Sequence, residues 1–175
     1  MRIFFSLGAS RRDKRRLAFI DIKKAHLYAV CERKVFVQLP EGYEQEGMCG
    51  QLNYTLYGTR DAAQSWEKEC TNTLIEAGFV QGQASTCVFR HEANNIDIVV
   101  HGDDFTAFAE HHHIQWLRQV LAAKYELKFR GTLGPSVERG ETPEITVLNR
   151  VVRWTSQGIE YEADPRHVEI IVHEL

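Results

Sequence analysis

Hydrophobic positions in this chain follow two rhythms. Apolar residues three and four apart mark helices. Short continuous or alternating runs of β-formers mark strands. Residues 2–10, with Ile3 and Leu7 one turn apart, predict a short helix. A longer helix is predicted from Ala62, Trp66, Cys70, Leu74 and Ala77, with Thr59 and Asp61 as candidate caps and Gly78 as its stop. Leu117, Val120 and Leu121 predict a third, to about Lys124, and Asp164 followed by Pro165 predicts a fourth over 166–175.

The strand rhythm picks out residues 17–21, 35–39, 87–91, 96–100, 105–108 and 126–129, then 145–148, 151–154 and 159–161 as a small terminal sheet. Residues 23–29 suit a turn of helix, 43–50 and 79–85 a loop each, and 51–57 a strand or an approach turn. A turn over 131–134 and a polar linker over 136–144 complete the chain.

At 175 residues and 43% hydrophobic content, the chain can bury one sizeable core. No apolar run approaches the roughly 20 residues that span a bilayer, and no secretory signal precedes the fold. The expected location is therefore cytoplasmic or nuclear, with no membrane partner. Cys31, Cys49, Cys70 and Cys87 lack CxxC spacing and are expected as free thiols. The net charge of −3 is unevenly spread: ten Lys or Arg stand against three acids in residues 1–34. That asymmetry predicts phosphate-attracting charge near Asp21, although a basic run at 11–16 is also what a solvated turn or a nuclear-import patch looks like.

The candidate chemistry lies in residues 96–109, IDIVVHGDDFTAFA, where Asp103 and Asp104 stand at the tip of a predicted hairpin. An Asp pair at a hairpin is also an ordinary solvated turn. A second stretch, LAFID, ends an apolar strand on Asp21, and an acid there is costly unless paired or metal-bound. The 82 positions between Asp21 and Asp103 allow the chain to go out and return, so that the acids meet at strand ends. Three such carboxylates repel one another unless cations neutralise them, and oxygen-only ligands favour Mg2+ or Mn2+. Three consecutive histidines, His111 to His113, have the wrong spacing for metal ligands on one helix face and read as a solvated helix start.

The segments FIDIKKAHL, LNYTLYGTRDAAQSWEKE, VVHGDDF and LKFRGTLG follow the order of four blocks in copia-type LTR retrotransposon reverse transcriptases, and the chain resembles that family in part. The resemblance implies an α+β fold: a palm-like antiparallel sheet with a catalytic hairpin, helices packed on one face, and a small C-terminal β element with a helix. It divides the chain into a palm-like core over 1–135, with the fingers truncated, and a β element with the start of a thumb-like helix over 136–175. Asp21, Asp103 and Asp104, with the main-chain carbonyl of Ile22, would hold two Mg2+ (Mn2+ possible) for RNA-directed DNA synthesis.

Lys23, Ala25, His26 and Gly58 would contact the nucleotide, and Lys128 would be the general acid toward pyrophosphate. The implied partners are an RNA or DNA template-primer, a deoxynucleoside triphosphate and the rest of a retroelement polyprotein. Three departures stand out. His26 replaces a usual aromatic residue, His101 and Gly102 replace an aromatic and a small aliphatic one, and Asp61 stands where glutamine is common. Gly102 is expected to loosen the carboxylates, and Asp61 to repel phosphates unless it serves as the helix cap. Two other readings remain open: an inactive remnant that at most binds nucleic acid, and a magnesium phosphohydrolase, for which the sequence singles out no water-activating base.

Overall fold

A computed structural model describes residues 2–10, 14–148, 150–162 and 165–173. In chain order it contains α1 (Arg2–Ser10), β1 (Arg16–Ile22), β2 (Phe36–Val37), β3 (Gly50–Gln51), α2 (Ala62–Glu76), β4 (Val80–Gln81), β5 (Val88–His91) and β6 (Ile96–His101). Then follow β7 (Asp104–Ala109), α3 (His111–Ala122), β8 (Leu127–Leu133), β9 (Glu141–Thr142), β10 (Glu144–Val147), β11 (Arg150–Thr155), β12 (Gly158–Tyr161) and α4 (Pro165–His173). Seven strands form one sheet in the order β4-β5-β6-β7-β1-β8-β9, antiparallel except for the β8–β9 pair. The fold is thus α+β with a mostly antiparallel sheet. Strands β10 to β12 form the separate small sheet that the sequence predicts, and β2 with β3 a two-stranded ribbon.

Side chains alternate across the central strands, so each face of the sheet carries its own core. On one face Ala18, Ile20 and Ile22 of β1 join Phe105 and Ala107 of β7 under Trp66, Cys70 and Leu74 of α2 and Ile114, Leu117 and Leu121 of α3. On the other, Leu17, Phe19 and Phe108 pack against Phe4 and Phe5 of α1 and Ile145, Val147 and Val152 of the small sheet. That second cover reaches only the Arg16 end of β1. Asp21, on the same face at the opposite end, emerges beyond it.

Several expectations change. The run 131–134 is no turn, because β8 continues to Leu133. The 136–144 linker contributes β9, held by the buried Glu141, whose carboxylate lies 3.2 Å from the Arg16 Nε and accepts from the Ser136 N–H. Strand β2 is two residues long, and residues 23–29 give only a 3-10 turn over Ala25–Tyr28.

Of the basic run, Arg15 and Arg16 do not lie near Asp21. Arg16 opens β1, five residues and roughly 17 Å away at strand rise, with Arg15 just before it, and the two are spent on Glu141 and Asp97. Arg11, Arg12 and the Asp164 cap lie outside the described residues. The four cysteines are unpaired, and among the described residues no helix is long and apolar enough to cross a membrane.

Candidate active site

Strand register assembles the site. Asp21 pairs with Asp104 across β1 and β7, and with Lys128 across β1 and β8, while His101 pairs with Asp104 across β6 and β7. Directly opposed residues share a face, so one row reads His101, Asp104, Asp21, Lys128. The Asp21 and Asp104 side chains are 19% and 15% exposed. Asp103 sits in the hairpin loop itself, between the ends of β6 and β7.

That loop is two residues, Gly102 and Asp103, with Gly102 at φ +62° and Asp103 outside the left-handed region. This is the type II′ arrangement, which asks for glycine at its first position and matches strand twist. Against the looseness of the carboxylates expected from Gly102, two tethers hold the backbone that carries them. Trp66 Nε1 donates to the Gly102 carbonyl at 2.8 Å, and the Ile22 N–H donates to the Asp103 carbonyl at 2.9 Å. Helix α2 and strand β1 therefore fix the tip from two directions. The bond from Ile22 also turns that residue's backbone toward the hairpin.

A residue that sequence reasoning missed lies between the acids. On β8 the register slips, with Ile20 opposite Phe129 and Phe19 opposite Gly131, so Arg130 is the extra residue of a β-bulge. The Arg130 Nη2 donates to Asp21 Oδ1 at 2.7 Å and stands 3.4 Å from Asp104 Oδ1. Gly131 makes this shape possible. Its φ is +139°, and a Cβ there would lie 2.8 Å from Ile145 Cδ1. The sequence signal was the Arg-Gly pair inside a strand pattern, which is how a bulge reads.

Burial pushes the Asp104 carboxyl above its ordinary range; Arg130 works against this, and the charges of Asp103 and Asp21 add to it. The hydrogen bond to Asp21 holds the Arg130 guanidinium above its own ordinary value. Tyr57, also missed, has its phenol pushed up by burial and then by the charge of Asp103. The Asp103 charge thus bears on Asp104, Arg130 and Tyr57 alike.

Among the described residues, no three His, Cys, Asp or Glu side chains are grouped so as to hold a metal ion. Asp21 and Asp104 converge instead on the guanidinium. The carboxylate oxygens of Asp21 and Asp104, with Asp103 next to Asp104 in the chain, are donors of the kind that a hard divalent cation such as Mg2+ or Mn2+ takes.

The predicted nucleotide residues fall around the N-terminus of α2. Ala25 is buried at 1% exposure. The His26 Nδ1 lies 3.2 Å from the Ala62 carbonyl, and its ring meets Tyr57 edge-on at 4.4 Å between centroids. Gly58 is exposed in the turn closed by Thr59 N–H to Leu56 O. Lys23 is exposed and paired with Glu126 at 2.6 Å. Lys128 is exposed beside Asp21, where β8 has no outer strand among the described residues, since β9 pairs with Thr132 and Leu133.

Neither predicted cap acts as one. The Thr59 hydroxyl donates back to Leu56 O, and Asp61 makes no capping bond. Arg33 grips Asp61 with two bonds, Nη2 to Oδ1 at 2.7 Å and Nε to Oδ2 at 2.9 Å. That hydrogen bond holds the Asp61 carboxyl below its ordinary range, and Arg33, not the helix terminus, neutralises it.

Residues 2–136 match the family model described as reverse transcriptase (RNA-dependent DNA polymerase). Over 124 residues the chain is 27% identical to the "Retrovirus-related Pol polyprotein from transposon TNT 1-94" of Nicotiana tabacum, a match covering 67% of this chain and 9% of that relative. The chain therefore spans less than a tenth of the length of that curated relative.

Proposed function

Because the chain belongs to the reverse transcriptase (RNA-dependent DNA polymerase) family, we propose that residues 1–135 form a palm-like core that carries nucleotidyl transfer, and that 136–175 form a β element and the start of a thumb-like helix. The observation that carries this reading is the register of Asp21 against Asp104 on the sheet face left open beyond the second core.

In this reading Asp21, Asp103 and Asp104, with the Ile22 carbonyl, are the oxygen ligands for divalent cations. A divalent cation held there would supply activation of a primer 3′-hydroxyl and neutralisation of the triphosphate charge. The chain's own residues position and exclude. Trp66 and Ile22 hold the hairpin so that the Asp103 and Asp104 carboxylates keep their place relative to Asp21. His26 and Gly58 form the floor on which a nucleotide lies, with Ala25 buried beneath it and Lys23 at its edge. Lys128 Nζ carries the proton for the leaving pyrophosphate, from the strand position next to Asp21. The partners in this reading are an RNA or DNA template-primer, a deoxynucleoside triphosphate and the rest of a retroelement polyprotein.

Primer extension with Mg2+ or Mn2+, on the chain by itself and within a longer polyprotein carrying it, tests the proposal. Extension lost in Asp21→Asn and Asp103→Asn is the expected result; extension that survives both overturns it. His26→Phe should tighten rejection of ribonucleotides. A second reading, a folded module without catalysis that at most binds nucleic acid, draws support from the guanidinium between Asp21 and Asp104. No extension in either format favours it.

A further inference from the structure

Arg33 and Arg130, two of the arginines that face carboxylates in the open, do so differently. Arg33 meets Asp61 fork to fork, with two nitrogens on two oxygens of one carboxylate. Such a grip is geometrically specific and self-contained. Arg130 instead spreads one nitrogen over two carboxylates, at 2.7 and 3.4 Å, from a side chain that stays 34% exposed. One point of positive charge between two acids on neighbouring strands is the arrangement a bridging cation would have. It is also easier to undo than a sealed pair, because the guanidinium, one-third exposed, can leave for solvent.

Strand alternation already gives Arg130 the face of Lys128 and Asp21; as the extra residue of the bulge it has no partner opposite it on β1, and its guanidinium reaches Asp21 at the end of that strand. The φ of +139° sets the requirement for glycine at 131, and the approach of Ile145 Cδ1 to that position puts the bulge against the small C-terminal sheet.

We infer that Arg130 is a built-in counter-cation that occupies the space between Asp21 and Asp104 and must withdraw before a divalent cation can bind there. The inference rests on the proposed metal role of those acids and adds a positioning residue to it. Removing Arg130 takes away the positive charge between Asp21 and Asp104, so cation affinity rises. A purely structural ion pair would behave in the opposite way, since breaking it would leave the acids splayed and the cation site poorer.

Free Mn2+, followed by its electron paramagnetic resonance signal as the whole chain is titrated, reads this without any turnover. Arg130→Gln should bind Mn2+ at least tenfold tighter than wild type, Arg130→Lys should return affinity toward wild type, and Asp104→Asn should lose saturable binding. Circular dichroism confirms that each variant is folded, as expected for a side chain one-third exposed. If Arg130→Gln binds Mn2+ no tighter than wild type while Asp104→Asn loses it, the counter-cation is wrong and the metal reading stands. If neither wild type nor Arg130→Gln binds saturably, both fall together.

Discussion

The two ends of β1 use the same pair of functional groups under opposite conditions. At its start, Arg16 reaches Glu141 with side chains 15% and 3% exposed, and the neighbouring Arg15 reaches Asp97 with 2% and 23%. At its finish, Arg130 reaches Asp21 with 34% and 19% exposed, and Asp104 beside it. A sealed pair cannot change partners, because the step in between leaves a bare charge in a low-dielectric interior. The half-open pair can exchange its guanidinium for another cation through solvent. Burial, and not residue type, separates an ion pair that holds the fold from one available for chemistry.

Removing a carboxylate from each end is the harshest test of that contrast. Glu141→Ala should cost about 3–5 kcal/mol in urea unfolding, because Arg16 is left inside without its partner and the Ser136 N–H loses its acceptor. Asp21→Ala should cost less than about 1 kcal/mol, because Arg130 can turn to water. Equal losses at the two ends would break the comparison.

Next in size is the tether that holds the open end in place. Trp66→Phe keeps an aromatic ring in the core but deletes the N–H that reaches Gly102. The expected loss is about 1–2 kcal/mol, the usual cost of leaving one carbonyl without its donor. The lower figure applies if water replaces the indole, and a cavity of about 290 Å3 lined in part by Trp66 and Gly102 has room for it. Hydrogen exchange should show the Ile22 amide, bound to Asp103, opening faster than in wild type, while amides at the Arg16 end keep their protection.

What the sequence disclosed divides along the same line. Helix α2 was legible because its apolar positions repeat at 3.6 residues, and the hairpin because β-formers flank Gly102 and two acids. The opposition of Asp21 to a partner in the hairpin was legible from the chemistry of an acid closing an apolar strand. Arg130 was not, because strand alternation gives Lys128 and Arg130 the same standing and only a register slip separates them. The fate of the basic run was hidden for a related reason. Whether Arg15 and Arg16 attract phosphates depends on Asp97 and Glu141, which lie far along the chain and arrive through β6 and β9. Local pattern reports element type, whereas long-range pairing decides which charges remain available.

The smallest effect belongs to a third pair, just past the open end, where Lys23 meets Glu126 with side chains 46% and 58% exposed. Glu126 holds the Lys23 ammonium above its ordinary 10.5, and Lys23 holds the Glu126 carboxyl below its ordinary 4.5. A lowered carboxyl stabilises the folded state above its unfolded value and loses that as pH falls through the folded one. A raised ammonium stabilises below its unfolded value and loses that as pH rises through the folded one. The pair's contribution is therefore level from about pH 4.5 to 10.5 and fades outside. In Glu126→Gln the acid limb of a pH–stability curve should flatten slightly, by less than Asp21→Ala costs, and about 1 M NaCl should erase the difference by screening. An ion pair this exposed leaves Lys23 nearly free to serve a ligand. Lys23→Ala should accordingly leave thermal stability almost unchanged while raising KM for the deoxynucleoside triphosphate at constant kcat. A stability loss as large as that of Glu141→Ala would show that exposure does not rank these three pairs.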